Sequence, residues 1–310
     1  MTAAGYRHEA MLYAGEKEFL DGTLPFIRDG LRAGEPTLVV VEGHKIASLR
    51  ARLGDEAEAV TFADMTEVGR NPAWIIPFWS DFLNRPEHAG RPLRGIGEPV
   101  LPSRDPDELV ECERHEALLN LAVDPSRSFR LLCPYDTSAL EGDALAVAER
   151  THPILRRSRQ AWESAAFAGL TDAGAPMVQP LPPAPAGATE IAFDGASIGA
   201  VRAAVRRHAA RAQMRSARIA DLVTAVTELA ANSVRHGGGR GRLRIWSADG
   251  AVHCEVWDRG RITDPLAGRQ RPGPDVEAGR GLWLCTRLCD LVQIRSAADG
   301  GVVRLRLRCA

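Results

Sequence analysis

The sequence lacks a long apolar run and any segment typical of export. Its strongest apolar stretch near the N-terminus is Leu38–Val41, far shorter than the roughly 20 residues that a membrane-spanning helix needs. The first ten residues, MTAAGYRHEA, contain no basic segment followed by an apolar one, so they do not predict a secretory signal. These absences predict a cytoplasmic protein without a membrane partner.

The sequence also lacks a strong net charge. Its 310 residues include 39 Lys and Arg against 40 Asp and Glu, which gives a formal net charge of -1. No overall field would therefore attract nucleic acid, and we expect no direct nucleic-acid partner. Hydrophobic residues make up 45% of the chain, enough to fill a core in each of the two domains that this length favours.

Paired metal-binding cysteines are absent as well. None of the six cysteines shows C-x-x-C spacing, so no zinc motif is predicted. Cys285 and Cys289 lie four apart, which places them on one face of a helix. We interpret the cysteines as small buried residues of a reducing compartment, with a redox or metal role for this pair as the alternative.

A proline-rich segment divides the chain. Residues Gly174–Gly187 read GAPMVQPLPPAPAG, with five prolines and no charge, a composition typical of an extended linker. We predict a first domain over residues 1–170, a linker over 171–188 and a second domain over 189–310.

The first domain alternates short apolar runs with helical spacing, which predicts a parallel sheet covered on both faces. We expect a final helix over about Pro153–Ala168. The predicted strands are Met11–Ala14, Thr37–Glu42, Ala59–Phe62, Leu93–Ile96 and Phe129–Cys133, and the clearest helices are Glu16–Ala33 and Asp107–Ala122.

The residue pattern of the second domain predicts a mixed, mostly antiparallel sheet with helices on one face and charged residues on the other. The charged face is interpreted as a solvated surface, or as an interface for an acidic partner or a second copy of the chain. The predicted helices are Ser197–Ala212, Ala217–His236 and Leu282–Cys289, the strands include Thr189–Phe193, Ala251–Trp257, Leu291–Ser296 and Val302–Cys309, and the charged face carries Arg242, Arg244, Arg304, Arg306 and Arg308.

Three short motifs in the second domain indicate chemistry. On the predicted helix, Glu228 and Asn232 lie one turn apart and on the same face. An amide oxygen suits Mg²⁺, and a carboxylate beside it can accept a proton from an attacking hydroxyl. Alone, the pair is also compatible with an ordinary solvated helix face.

The second motif, Asp258-Arg-Gly260, follows a predicted strand. A carboxylate at a strand end can accept the amino hydrogen of adenine, and a glycine lets the backbone approach the ring. A plain turn at the end of a strand has the same composition.

The third motif, Gly279-Arg280-Gly281-Leu282, opens a predicted helix, where backbone N–H groups can face a phosphate. The breaker-rich segment before it, Arg261–Ala278, is typical of a mobile lid. Its Arg269 and Arg271, together with Arg280, are candidate phosphate contacts, and the sequence does not choose among them.

Together the three motifs resemble the ATP-binding domain shared by histidine kinases, gyrase and MutL, the Bergerat fold, over about Thr189–Ala310. The resemblance implies a C-terminal α/β sandwich that binds ATP or ADP with Mg²⁺. One departure concerns the second glycine of the usual D-x-G-x-G motif, which is Ile262 here.

The segments TELAANSVRHGGG, VWDRG and GRGLWLCTRLCD resemble, within that superfamily, the anti-sigma-factor serine kinases of bacterial stress and sporulation switches. By this resemblance, Glu228 is the catalytic base, Asn232 the magnesium ligand and Asp258 the adenine anchor. The resemblance also implies two partners: an anti-anti-sigma (STAS) protein that is phosphorylated on serine, and a sigma factor that is sequestered.

The first domain resembles the MEDS sensory domain found ahead of such kinases, over about Tyr6–Ala168. The matching text is HEAMLYAGEKEFLDGTLPFIRDGLRAGEPTLVVV and ECERHEALLN. The resemblance implies a RecA-like, mainly parallel α/β fold. Because no G-x-x-x-x-G-K-[ST] loop is present, we predict no second nucleotide site.

The sequence is also compatible with two other functions. In a sensor histidine kinase His115, within Arg114-His115-Glu116, would be the phosphoacceptor, although the proline-rich linker stands where the phosphoacceptor helices belong. The other is a nucleotide-binding scaffold without kinase activity. His8 and His236 are interpreted as ordinary structural histidines, with His236 at a helix end.

Overall fold

The computed structural model describes residues 5–158, 160–169, 179–273, 279–297 and 299–310. The chain divides into two compact units, Met1–Ala173 and Gly174–Ala310. Among the described residues, no helix is both long enough and apolar enough to cross a membrane.

The first unit contains a seven-stranded sheet in the order β3-β2-β4-β5-β1-β6-β7. Every neighbouring pair is parallel except β6 with β7. The strands are β1 (Tyr6–Tyr13), β2 (Thr37–Val41), β3 (Val60–Asp64), β4 (Leu93–Gly97), β5 (Phe129–Asp136), β6 (Ile154–Arg157) and β7 (Gln160–Glu163). All residues of β2 and β4 are buried, as expected for parallel strands covered on both faces. The predicted parallel α/β arrangement is confirmed.

Six α-helices accompany this sheet within the described residues. They are α1 (Gly15–Arg32), α2 (Gly43–Leu53), α3 (Met65–Val68), α4 (Ile75–Leu83), α5 (Pro106–Ala122) and α6 (Gly142–Thr151). Two of them begin and end within a residue of the helices predicted over Glu16–Ala33 and Asp107–Ala122.

The helix predicted over Pro153–Ala168 is wrong, because β6 and β7 form there instead. β6 pairs in parallel with β1, with Ile154 opposite Glu9, and in antiparallel fashion with β7. This pairing satisfies backbone groups that would otherwise stay open along the edge of β1. Pairing with a strand that is distant in sequence therefore outweighs the local helical pattern of the segment.

The second unit contains a five-stranded antiparallel sheet in the order β11-β12-β10-β9-β8. Its strands are β8 (Thr189–Asp194), β9 (Arg240–Ala248), β10 (Ala251–Asp258), β11 (Leu291–Ala297) and β12 (Gly300–Arg308), and its helices are α7 (Ile198–Arg211), α8 (Ser216–His236) and α9 (Arg280–Leu288). The alternating residues Val252, Cys254 and Val256 of β10 lie in the same apolar core as Val226 and Leu229 of α8. Helices therefore cover one face of the sheet, as predicted.

The opposite face of this sheet is charged but not uniformly solvated. The side chains of Arg242 and Arg244 are 46% and 40% exposed. Arg304, in contrast, is buried: its Nε donates to Glu255 Oε2 at 3.0 Å and its Nη2 to the carbonyl oxygen of Pro182 at 2.6 Å. The expectation of a wholly solvated arginine face is therefore wrong at Arg304, which is paired across strands and covered by the proline-rich segment.

Candidate functional site

The long helix α8 positions the first motif. Its apolar residues Leu222, Val226 and Leu229 are buried against the sheet, which fixes the rotation of the helix about its axis. Glu228 and Asn232 lie beside this buried stripe, and both are half-buried. The acid and the amide are thus held on the flank of α8 that faces a cavity.

This cavity has a volume of about 350 Å³ and lies between α8, the end of β10 and the start of α9. All eight residues that the sequence predicts for the site line it. They are Glu228, Asn232, Asp258, Gly260, Gly279, Arg280, Gly281 and Leu282. The structure therefore brings together three motifs whose residues lie up to 54 positions apart in the chain.

Asp258, the last residue of β10, is held by two hydrogen bonds. The Ser233 hydroxyl donates to Oδ2 at 2.5 Å, and the Gly260 backbone N–H donates to Oδ1 at 2.7 Å. Each carboxylate oxygen has two lone pairs, so the carboxylate retains acceptor capacity towards the cavity. The sequence analysis missed Ser233, although the residue follows Asn232 directly on α8 and is buried.

Gly237 and Gly281 are required by close approaches within the site. A Cβ atom at Gly237 would lie 2.3 Å from Asp258 Cγ, and one at Gly281 would lie 2.9 Å from Asn232 Nδ2. Larger residues would displace these side chains, because real Cβ atoms do not pack so closely. The first glycine lets the end of α8 reach Asp258, and the second lets the start of α9 reach Asn232.

The third motif forms the start of α9. Gly279 is the N-cap, with a φ of 84°, and as a glycine it has no side chain that could cap the helix. The first N–H groups of a helix have no partner within the helix and carry the positive end of its dipole. Since Gly279, Arg280 and Gly281 line the cavity, this end of it suits a phosphate group.

The segment between the second and third motifs is described only up to residue 273, so the predicted lid over Arg261–Ala278 lies partly outside the described residues. Arg261, Thr263 and Asp264 line the cavity. Arg269 is buried, at 1% exposure, and neither it nor Arg271 lines the cavity. Of the three arginines considered as phosphate contacts, only Arg280 borders it.

Ile262, at the position of the second glycine of the family motif, is half-buried and packs against the core of the unit. It also lines the cavity, and its backbone N–H donates to Ser296 Oγ at 3.0 Å. Ile262 therefore gives the cavity an apolar wall at the position where the glycine of the family motif would expose only backbone.

Cys285 and Cys289 are buried in the core. The Cys285 thiol donates to the carbonyl oxygen of Ala225 at 3.4 Å. Burial, and to a smaller extent the neighbouring Glu228 carboxylate, raises the pKa of Cys285. A thiol that stays protonated is a poor nucleophile, which favours the interpretation of this pair as small buried residues.

Comparison with known proteins identifies two segments. Residues 7–153 match the family model of MEDS, the methanogen/methylotroph, DcmR sensory domain. Residues 191–307 match the family model of the histidine kinase-like ATPase domain. The resemblances to the MEDS domain and to the histidine kinase-like ATP-binding domain are confirmed over these segments, and an ATPase domain of this kind implies ATP binding.

Solved structures match this chain as well. One is the crystal structure of the RsbU and RsbW domains of a Mycobacterium tuberculosis protein, 26% identical in sequence with a TM-score of 0.31. The match covers 40% of this chain and 33% of that one, so this chain spans about a third of the length of that structure. Among curated proteins, none matches this chain significantly.

Proposed function

Because the chain carries a MEDS segment followed by a histidine kinase-like ATPase segment, we propose that it is an anti-sigma regulatory kinase. In this proposal the second unit binds Mg²⁺-ATP and phosphorylates a serine or threonine of an anti-anti-sigma (STAS) protein. It sequesters a sigma factor when the antagonist is phosphorylated, and the first unit supplies the sensory input. The protein would thereby regulate transcription under stress.

The observation that carries the proposal is the convergence of all three motifs on one cavity. At one end, Asp258 is held by Ser233 and Gly260 so that it can accept the adenine amino hydrogen. At the other end, Gly279, Arg280 and Gly281 present the start of α9 to the phosphates. Leu282 and Ile262 add apolar wall, which suits the face of a purine.

The donor set also fits a magnesium ion. Asn232 is half-buried at the cavity wall beside Gly281, and its amide oxygen is a hard donor of the type that Mg²⁺ uses when phosphates and water complete its shell. The bound ion would neutralise charge on the phosphates. Asn232 itself would fix the position of the triphosphate relative to Glu228.

Glu228 is proposed as the general base. It would accept the hydroxyl proton of the substrate serine while the serine oxygen bonds to the γ-phosphorus. The bond between that phosphorus and the β,γ-bridging oxygen breaks, and ADP leaves with the bond electrons. Asn232 lies one helical turn away, so the proposed base and the proposed magnesium ligand are held on one rigid helix.

A sensor histidine kinase is less well supported by the structure. His115 lies within α5 and is only 1% exposed. A phosphoacceptor histidine must reach the γ-phosphate of ATP, and a buried ring in the first unit cannot do so without local unfolding. We therefore favour a hydroxyl acceptor on a partner protein.

Incubation with γ-labelled ATP, Mg²⁺ and a candidate STAS protein tests the proposal. We expect acid-stable label on the STAS protein, and labelling at least about a hundredfold slower with the Glu228→Ala variant. Acid-labile label on the chain itself would instead support the histidine kinase. Saturable nucleotide binding without label on any partner would leave a nucleotide-binding scaffold and contradict the kinase assignment.

A further inference from the structure

A second group of side chains, far from the three motifs in sequence, converges in the core of the first unit. It consists of His8, Glu116, Cys133 and His152, each at most 1% exposed. One ligating atom from each residue lies within 4.8 Å of all the others. Two imidazoles, a thiol and a carboxylate are the donor types of zinc sites in proteins.

Four different elements supply these residues. His8 comes from β1, Glu116 from α5, Cys133 from β5 and His152 from the residue that follows α6. β1 and β5 are paired in parallel, with Ala10 opposite Cys133, so His8 and Cys133 lie on adjacent strands. Because the ligands are dispersed along the chain, no local sequence motif marks the group.

Four of the six distances between these atoms are close to the edges of a coordination tetrahedron. Glu116 Oε2 lies 3.1 Å from His8 Nε2, 3.4 Å from His152 Nε2 and 3.6 Å from Cys133 Sγ. Cys133 Sγ lies 3.3 Å from His8 Nε2. Bonds of about 2.0–2.3 Å to a central ion would separate neighbouring ligands by about 3.3–3.8 Å.

The hydrogen bonds around His8 fix which of its nitrogens carries a proton. Asn120 Nδ2 donates to the carbonyl oxygens of Thr151 and Glu116, at 2.8 and 3.3 Å. This orients the amide so that its Oδ1 faces His8 Nδ1 at 3.1 Å. A carbonyl oxygen only accepts, so Nδ1 is the donor, and Nε2 of the neutral ring presents a lone pair.

His152 is oriented in the same way. Its Nδ1 lies 3.0 Å from the carbonyl oxygen of Ala148, and Nδ1 must therefore donate. Thr151 Oγ1 donates to the carbonyl oxygen of Val147 and so accepts at its 3.0 Å contact with the ring. Nε2 of His152 has no hydrogen-bond partner, and this nitrogen is the one that points into the group.

The resulting arrangement holds more acceptors than donors. When both imidazoles are neutral, the two Nε2 lone pairs and Glu116 Oε2 face each other, and the thiol of Cys133 has a single proton to share among them. Buried acceptors that face one another without donors are costly. A cation at the centre removes the conflict, and the outer hydrogen bonds that the two rings donate to Asn120 and Ala148 are of the kind that orient metal-bound imidazoles.

We propose that the first unit binds one divalent first-row transition-metal ion, of the Zn²⁺ class, through His8 Nε2, Glu116 Oε2, Cys133 Sγ and His152 Nε2. All four positions are filled by protein groups, and the rings of Tyr6 and Tyr135 pack against His8 and His152. The site is therefore of the closed type, in which an ion fastens separate elements together. It would tie α5 and the end of α6 to the centre of the sheet.

Metal analysis and cobalt spectroscopy on the untagged full-length protein test this proposal, without nucleotide. We expect about one ion per chain after reconstitution with Zn²⁺ alone. The Co²⁺ form should show intense visible bands of a four-coordinate site and a thiolate-to-cobalt charge-transfer band. Cys133→Ser should abolish the charge-transfer band, whereas the matched control Cys112→Ser, a buried thiol on α5 that is no ligand, should keep it.

Asn120→Ala tests the orienting hydrogen bond without removing a ligand. We expect it to weaken Zn²⁺ binding by about 10–100-fold while the charge-transfer band is retained at saturating Co²⁺. Uptake below about a tenth of an ion per chain by the folded wild-type protein would overturn the proposal, whether or not any variant folds. So would a charge-transfer band that survives Cys133→Ser. Asn232→Ala should leave Zn²⁺ uptake unchanged, which separates this site from the nucleotide cavity.

Discussion

Glu228 and Asn232 occupy neighbouring positions on one helix, yet we assign them different roles. The assignment rests on their chemistry, since only the carboxylate can take a proton and only the amide oxygen is a neutral hard donor. Two substitutions at adjacent turns should therefore have separable effects on binding and on chemistry.

Glu228→Ala should slow phosphotransfer by about 10²–10⁴-fold and change ATP affinity little, because a general base acts mainly in the transition state. Asn232→Ala should instead weaken Mg²⁺-ATP binding. Single-turnover phosphotransfer and calorimetric titration measure the two effects separately. A Glu228→Ala variant that transfers phosphate at the wild-type rate would remove the base assignment.

Ser233 is a supporting residue that we expect to matter for nucleotide affinity. Its hydroxyl donates to Asp258, and hydrogen bonds to charged groups contribute about 1.5–3 kcal/mol, so Ser233→Ala should weaken ADP binding by about tenfold or more. Thr224→Ala is the matched control, since Thr224 is an exposed residue of α8 whose hydroxyl donates only to its own helix. Equal affinities for both variants would contradict the role given to Ser233.

A buried carboxyl in the first unit predicts a pH dependence. Glu98 accepts hydrogen bonds from Tyr13 at 2.6 Å and from Lys45 at 2.7 Å. Burial raises the pKa of Glu98 to about 7 from its ordinary 4.5, although Lys45 opposes the shift. The folded state therefore retains a proton that the unfolded state has lost between these two values.

The free energy of unfolding should consequently fall as pH rises from about 4.5 to about 7, by about 3 kcal/mol from this group. Glu98→Gln, which cannot ionise, should lack this contribution. Urea titrations of both proteins across the window measure it as the difference in slope. Parallel pH profiles would show that Glu98 titrates normally.

The elements of the second unit were largely predictable from the sequence, because each has a strong local pattern. The alternation of Val252, Cys254 and Val256 places β10 against the core, and the stripe of Leu222, Val226 and Leu229 does the same for α8. The motifs sit at the ends of these elements, so their convergence follows once the sheet forms.

Features that depend on distant pairing were not predictable. The β6–β7 hairpin forms because β1 needs a partner, and the burial of Arg304 depends on Glu255 and on Pro182 of the proline-rich segment. The hydrogen bond from Ser233 to Asp258 likewise joins residues 25 apart. The contact between His8 and Glu116 spans 108 residues, and we interpreted His8 from sequence as an ordinary structural histidine.

The approach of α9 to α8 depends on a glycine, and its loss should affect the site more than the fold. Gly281→Ala places a methyl group 2.9 Å from Asn232 Nδ2, so the amide must move and Mg²⁺-ATP affinity should fall. Gly199→Ala is the control, because Gly199 lies in α7 with open space around it, where alanine should be neutral or stabilising. Thermal unfolding and ATP titration of both variants separate folding from binding.

The whole molecule joins two kinds of ligand chemistry on one chain of nearly zero net charge. The second unit offers hard oxygen donors and helix-end amides, which suit a nucleotide with its magnesium ion. The first offers imidazole and thiol donors in a closed core, which suit a transition-metal ion.

Calorimetric titration of the full-length protein with ATP and with ADP, each in the presence of Mg²⁺, tests the central claim most directly. The account predicts saturable binding at about one site per chain, weakened by about tenfold or more in Asp258→Asn, with the turn variant Asp249→Asn unchanged. A folded wild-type protein that takes up neither nucleotide would contradict it.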